Sequence, residues 1–214
     1  MSQSSNNFLQ KICCLLYRIS TFGLEKGAHP SRFFMYQHLQ SFAEPRDPDS
    51  SVLSISHSEH LARILGFDDS QIEDASFPEY SIADLPFEND RFDAIVTDQV
   101  LEHVAEGPFL AMQESFRVVK RGGLVVHATV FSYPIHGCPN DYWRFTPQAL
   151  DALVKPYGRV IESGGWGNGW ISLLWALGLR WEPMPTAKWH PANMIVTRND
   201  EDRPIVVWVI AQKE

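Results

Sequence analysis

The sequence has few cysteines and no long uninterrupted apolar run, and each shortage excludes a class of protein. Its three cysteines are an odd number and cannot form a complete disulfide framework, which favours a reducing, cytoplasmic location. The longest apolar region, residues 166–181, is interrupted by Gly167, Asn168 and Gly169. It is shorter than the roughly 20 residues that span a bilayer, so we expect a buried or interfacial helix and no transmembrane segment.

Basic residues are also in short supply. The chain has 18 Lys and Arg against 26 Asp and Glu, which gives a net charge of −8, and its densest basic cluster is only Lys120-Arg121. A phosphate backbone needs a basic surface, so we expect no nucleic-acid partner and favour a small-molecule or glycan substrate. The composition leaves the oligomeric state open.

The overall composition is that of a globular protein, and the sequence divides into two parts. Of 214 residues, 44% are hydrophobic and 21% charged, which suffices for a core without disulfides or metal. Residues 1–45 predict an N-terminal helical cap, because Phe8, Ile12 and Leu15 fall on one helical face. A polar linker with two prolines follows, and residues 46–214 predict the main domain.

Strands and helices alternate in the main domain. Strands are predicted at 51–56, 71–75, 80–83, 91–98, 124–131, 159–162 and 204–212, and helices at 59–65, at 108–121 and from Pro147 onwards. This alternation indicates an α/β fold with a mostly parallel sheet and helices on both faces. The irregular stretch 132–145 leaves the carboxyl end of a strand, where such sheets place their ligands.

Four segments carry a resemblance to a known family. They occur in order as ADLPF at 83–87, RFDAIVTD at 91–98, VLEH at 100–103 and RVVKRGGL at 117–124. The ordered set resembles the class I S-adenosylmethionine-dependent methyltransferases over about residues 51–131 and in the last strand. The resemblance implies a Rossmann-like, seven-stranded sheet with an antiparallel last strand. It also implies S-adenosylmethionine as cofactor and methyl transfer to a small-molecule or glycan acceptor.

The loop after the first strand departs from the family. The resemblance implies an acid where this chain has Ser54 and glycines where it has Ser56 and Ser58, with His57 between the two serines. Serine offers an N–H group and small size, but it resists positive φ more than glycine does. We expect Ser54, Ser56 and His57 to contact the cofactor; the alternative is an ordinary strand-to-helix turn.

Acidic residues follow at the places that bind the rest of the nucleoside. Glu73 and Asp74 lie about 20 residues after this loop, where an acid binds ribose hydroxyls, although paired acids are also commonly just solvated. The resemblance implies that Asp84 and Leu85 contact adenine. The alternative for Asp84 is a turn cap before Pro86.

The segment after strand 91–98 is implied to line the methionine end of the cofactor. Asp98 and Gln99 are the first candidates there and His103 the second. Glu102 and His103 could instead cap the following loop.

The stretch 132–145 is the candidate acceptor site. It resembles a signature of one branch of these enzymes and contains His136, Asp141 and Arg144. His136 or Asp141 could take a hydroxyl proton, and Arg144 could hold a carboxylate or phosphate. The alternative is an internal Asp141–Arg144 salt bridge. No metal site is expected, because His57 and His60 lie three apart without an evident third ligand.

Two other functions compete with methyl transfer. A catalytically inactive binding protein of the same fold is supported by the serine-substituted loop. A nicotinamide-dependent oxidoreductase needs G-x-G-x-x-G after the first strand, and this chain has no glycine there before Gly66. Trp166, Trp170 and Trp189 are expected in the core, with closure of the site as the alternative.

Overall fold

The computed structural model describes residues 8–137 and 139–214. They divide into two compact units. One comprises the described part of Met1–Gln37 together with Trp166–Pro204, and the other comprises His38–Gly165 with Ile205–Glu214. This division differs from a boundary after residue 45, since residues 38–45 join the larger unit and 166–204 the smaller one.

A single six-stranded sheet organises the larger unit. Its strands are β1 Val52–Ile55, β2 Ile72–Ala75, β3 Phe92–Asp98, β4 Val119–Val130, β5 Gly158–Trp166 and β6 Val206–Lys213, in the order β2-β1-β3-β4-β6-β5. β2, β1, β3 and β4 run parallel to their neighbours, and β6 is antiparallel to β4. The Rossmann-like α/β fold with an antiparallel last strand is confirmed.

The seventh strand, predicted at 80–83, is absent from the described residues. Ser81 and Asp84 form an isolated bridge instead, and the Asp84 N–H donates to the Ser81 carbonyl at 3.0 Å. Prolines at 78 and 86 flank this segment. Because proline has no N–H group to donate, only the few residues between the two prolines could form the hydrogen bonds of a strand, and these residues form a turn instead.

Three helices accompany the sheet. They are α3 Glu59–Ile64, α4 Pro108–Val118 and α5 Pro147–Val154. The predicted cap of α5 is confirmed, because the Thr146 hydroxyl accepts from the Ala149 N–H at 3.1 Å. The predicted end of α4 at residue 121 was wrong, since Lys120 to Gly123 belong to β4. A short 3₁₀ helix, Leu101–His103, follows β3.

Four further helices lie outside this set. They are α1 Phe8–Ser20, α2 Pro30–Gln40, α6 Ile171–Ala176 and α7 Pro191–Thr197. Within the region 166–181 only α6 is helical, because Gly167 and Gly169 interrupt the chain before it. Trp166 is fully buried as predicted, whereas Trp170 and Trp189 are exposed. None of the helices among the described residues combines the length and the apolar character required to cross a membrane.

Candidate active site

A cavity of about 370 Å³ opens at the carboxyl ends of the parallel strands. Its walls come from the loops after β1, β2 and β3 and from the stretch that follows β4. Four predicted cofactor residues line it: Ser56, His57, Gln99 and His103. Loops that are distant in sequence meet here because parallel strands end at one edge of the sheet.

The loop after β1 has the backbone conformation that glycine usually supplies. Ser56 has φ of +52° and His57 has φ of +65°. A residue with a Cβ atom pays roughly 1–3 kcal/mol for this region, so the surrounding structure must hold the loop. Ser56, which replaces a glycine of the family, therefore retains the backbone conformation expected of glycine, whereas Ser58 has φ of −90°.

Asp74 holds that loop. Its carboxylate accepts from the Ser54 hydroxyl at 2.6 Å, from the His57 N–H at 3.2 Å and from the Ser76 hydroxyl at 2.5 Å. Neither Asp74 nor Ser54 lines the cavity. Their contacts are with the loop, so the structure places them behind the predicted contact surface. Glu73 does not line the cavity either, and its carboxylate forms a surface ion pair with Arg91 at 2.6 Å.

Gln99 also has a left-handed backbone, with φ of +59°. It lines the cavity, and its buried Nε2 has no hydrogen-bond partner among the described residues. An amide donor buried without a partner is costly and is commonly completed by a ligand. Asp98 precedes it at the end of β3 but does not line the cavity, and its N–H donates to the Ser58 hydroxyl at 2.8 Å.

The residues predicted to contact adenine do not line the cavity, and neighbouring residues line it instead. Asp84 is exposed, and Leu85 is buried in the core with its N–H donating to Glu114 Oε2 at 2.9 Å. Neither lines the cavity; Ser81 and Ile82 do, together with Phe77 and Tyr80. The turn between Ser81 and Asp84 reverses the chain, which sequence reasoning missed because it assigned a strand there.

Asp141 and Arg144 form the internal salt bridge that the sequence left as an alternative. The Arg144 guanidinium donates to both carboxylate oxygens, at 2.5 and 2.7 Å, and the Asp141 side chain is 1% exposed. This bridge, with the His136 N–H, lowers the pKa of Asp141 to about 2. Arg144 also donates to the carbonyls of Tyr133 and Trp143, so its donors are engaged within the stretch.

His136 joins two residues from the loop after β3. The Nε2 atoms of His136 and His103 each lie 3.9 Å from Glu102 Oε1, and the two rings are 4.9 Å apart between centroids. Glu102 is fully buried, and its other oxygen accepts from the Thr129 hydroxyl at 2.7 Å. Sequence reasoning missed this role of Glu102 because His136 belongs to the stretch after β4, far from Glu102 along the chain.

Comparisons with known proteins agree with this geometry. Residues 42–127 match a family model described as a methyltransferase domain. None of the curated proteins matches the chain.

Several solved structures share the fold. A complex between the Haloferax volcanii Trm112 methyltransferase activator and a methyltransferase matches at a TM-score of 0.55 and 14% identity, over 86% of this chain and 90% of that one. A geranyl diphosphate methyltransferase in complex with S-adenosylmethionine matches at 0.50 and 13%, over 84% of both chains. The MccD protein matches at 0.51 and 10%, over 87% and 99%. At these identities the similarity establishes the fold.

The cavity has features that suit a nucleoside carrying a sulfonium. It offers an amide without a partner at Gln99, left-handed backbone at Ser56 and His57, and apolar rings at Phe77 and Tyr80. The matched domain, the fold and the ordered motifs agree. Residues 42–127 therefore form a methyltransferase domain of the S-adenosylmethionine-dependent kind, with S-adenosylmethionine as its cofactor.

Proposed function

We propose that S-adenosylmethionine binds in the cavity against Ser56, His57, Gln99 and His103, and that the methyl group passes to an oxygen of a small-molecule or glycan acceptor. The observation that carries the proposal is the convergence of these four residues on one cavity. The cytoplasmic location favoured by the cysteine content is part of the same proposal.

We assign the parts of the cofactor from the residues that line the cavity. Phe77, Tyr80 and Ile82 form an apolar wall that suits the flat adenine ring. Glu106 also lines the cavity and adds negative charge that favours a cationic sulfonium. Asp74 acts as a positioning residue, because its three hydrogen bonds hold the strained loop of Ser56 and His57.

The acceptor is placed beside His103 and His136. The bound cofactor supplies an electrophilic methyl group on a sulfonium. The acceptor oxygen forms the new C–O bond while the S–CH₃ bond breaks, and that bond's electron pair remains on sulfur. The hydroxyl proton must leave, and its acceptor in this proposal is the cluster of His103, which lines the cavity, with His136 and Glu102 beside it. Burial lowers the pKa of His136, which keeps its ring neutral at pH 7 and able to accept.

Calorimetry on two variants tests the cofactor site. Gln99→Leu removes the unpartnered amide at nearly constant volume and is expected to weaken S-adenosylmethionine binding by roughly tenfold, since a lost hydrogen bond to a charged or buried group costs about 1–3 kcal/mol. Asp84→Ala is the matched control, because Asp84 is exposed and outside the cavity.

The control separates this site from the one predicted from sequence. The proposal is contradicted if Gln99→Leu leaves the affinity for S-adenosylmethionine unchanged while Asp84→Ala lowers it. That result would indicate that adenine contacts Asp84, as the sequence predicted. Melting temperatures measured on both variants exclude an effect of unfolding.

A further inference from the structure

Three potential metal ligands converge beside the cavity. Glu102 and His103 come from the 3₁₀ helix after β3, and His136 comes from the stretch after β4. One ligand atom from each residue lies within 4.8 Å of the other two. Both imidazole Nε2 atoms are 3.9 Å from the same carboxylate oxygen, Glu102 Oε1.

Backbone carbonyls determine which ring nitrogen carries the proton. His103 Nδ1 is 2.5 Å from the Asn140 carbonyl, and His136 Nδ1 is 3.2 Å from the Pro134 carbonyl. A carbonyl oxygen only accepts, so each Nδ1 is the donor. His136 Nδ1 also lies 3.2 Å from Asp141 Oδ2, which favours the same tautomer. In their neutral forms both rings therefore carry a lone pair at Nε2.

Both Nε2 lone pairs then lie beside the carboxylate oxygen Glu102 Oε1. Electron pairs this close repel one another, and a cation placed among them relieves that repulsion. Two imidazolium rings at this separation would repel each other. A single divalent ion attracts all three atoms at once.

We propose that Glu102, His103 and His136 form a binding site for a divalent transition-metal ion. Two imidazole nitrogens and one carboxylate oxygen are the ligands that zinc and similar ions take, at about 2.0–2.2 Å, so each 3.9 Å distance from Nε2 to Glu102 Oε1 needs to shorten by roughly half an ångström. The hydrogen bonds from Nδ1 to carbonyl oxygens are those that orient metal-ligating histidines in proteins.

The position of the site gives it a role in the reaction, which rests on the proposed function. His103 both lines the cavity and belongs to the cluster, so an ion held there would lie beside the bound acceptor. The ion would lower the pKa of the acceptor hydroxyl, and the proton would leave to solvent water rather than to the histidines, because the ion occupies their Nε2 atoms. The resulting oxygen anion then forms the C–O bond as the S–CH₃ bond breaks.

Titration of the chelator-treated full chain with Zn²⁺ alone, and with Co²⁺ for its visible absorption, tests the site. One ion is expected to bind per chain. His136→Ala and Glu102→Gln are each expected to weaken Zn²⁺ binding by at least about 100-fold, because each removes or neutralises a ligand. His60→Ala is the control, since His60 is exposed and lies outside the cluster. Circular dichroism verifies that each variant folds. Because His136 is partly exposed, His136→Ala still tests the site if the buried change Glu102→Gln prevents folding.

The outcomes are separable from those of the cofactor experiment. Saturable binding that the ligand variants lose supports the site. Absence of saturable binding up to millimolar ion, or equal binding by the variants and wild type, overturns it. In that case a fall of about 10²–10⁴-fold in the turnover of His136→Ala, with unchanged cofactor affinity, assigns His136 as the base. Failure of S-adenosylmethionine to bind contradicts the proposed function and leaves the ion titration valid.

Discussion

Three non-glycine residues around the cavity, Ser56, His57 and Gln99, have a left-handed backbone. Strain of this kind persists only where surrounding contacts outweigh it, and it concentrates at ligand sites. Here the contacts are identifiable, since Asp74 accepts from the His57 N–H and the Ser56 hydroxyl accepts from the Phe77 N–H at 3.3 Å. Residue identity in this loop matters less than the conformation it adopts.

Two serine-to-glycine changes in the same loop should differ in their effect on stability. Ser56→Gly removes a left-handed penalty of roughly 1–2 kcal/mol, but it adds about 0.5–1 kcal/mol of unfolded-state entropy and loses the hydrogen bond from the Phe77 N–H, worth about 0.5–1.5 kcal/mol. We therefore expect little net change. Ser58 has φ of −90°, and its hydroxyl donates to the Ile55 carbonyl and accepts from the Asp98 N–H. Ser58→Gly should cost about 1–3 kcal/mol. Urea denaturation measures both; a loss in Ser56→Gly as large as that in Ser58→Gly contradicts the strain argument.

The start of β4 shows how an element adjusts to its neighbour. Phe92 pairs with Val119 and Ala94 pairs with Leu124, so residues 120–123 form a bulge opposite Asp93. Gly122 has φ of +78°, and a Cβ atom on Gly123 would lie 2.6 Å from the Asp93 carbonyl oxygen. The glycine pair therefore enables a bulge within a strand. The sequence pattern suggested a helix end because glycines serve both purposes.

Alanine substitutions at the two glycines distinguish the need for positive φ at Gly122 from the need for close backbone approach at Gly123. Gly122→Ala adds backbone strain in open space and should cost about 1–2 kcal/mol. Gly123→Ala forces a side chain against backbone that cannot rotate away and should cost more, up to about 3 kcal/mol. Thermal unfolding ranks them. A larger loss in Gly122→Ala would show that conformation, not close approach, constrains the bulge.

At the scale of the whole molecule, the sheet buries a titratable group in its centre. His127 on β4 is fully buried, and its Nδ1 lies 2.8 Å from the Thr97 hydroxyl on β3. Burial lowers the pKa of His127 to about 3. Between this value and about 6.5 the unfolded chain binds a proton there that the folded chain does not, so acid favours unfolding.

The free energy of unfolding should therefore fall as the pH drops from about 6.5 towards 4. His127 contributes up to about 1.4 kcal/mol per pH unit, and His136 and His190, whose pKa values burial also lowers, act in the same direction. Asp141, with a pKa of about 2, adds to the loss only below about pH 4. His127→Gln should flatten the slope measured by denaturation between pH 7 and 4.5. Parallel curves for variant and wild type would contradict this assignment.

Local signals in the sequence determined much of the architecture. Thr146 and Pro147 begin α5 because a hydroxyl cap and a fixed φ act within one turn. Apolar runs at β1, β3 and β6 indicate buried strands because both faces of each are covered. The ordered motifs indicated the enzyme class, and they lie along the sheet in sequence order: RFDAIVTD forms β3, VLEH follows it and RVVKRGGL runs from α4 into β4. These features depend on neighbours in sequence.

The tertiary structure decided which side chains face the cavity and what they meet there. Asp84 and Asp98 have the expected residue type, yet turns direct Ser81 and Gln99 to the cavity instead. Glu102 meets His136 only because β3 and β4 are adjacent and their loops leave the same edge of the sheet. No spacing in the sequence records that contact, because it depends on strand order and loop path, which are set by packing across the whole sheet.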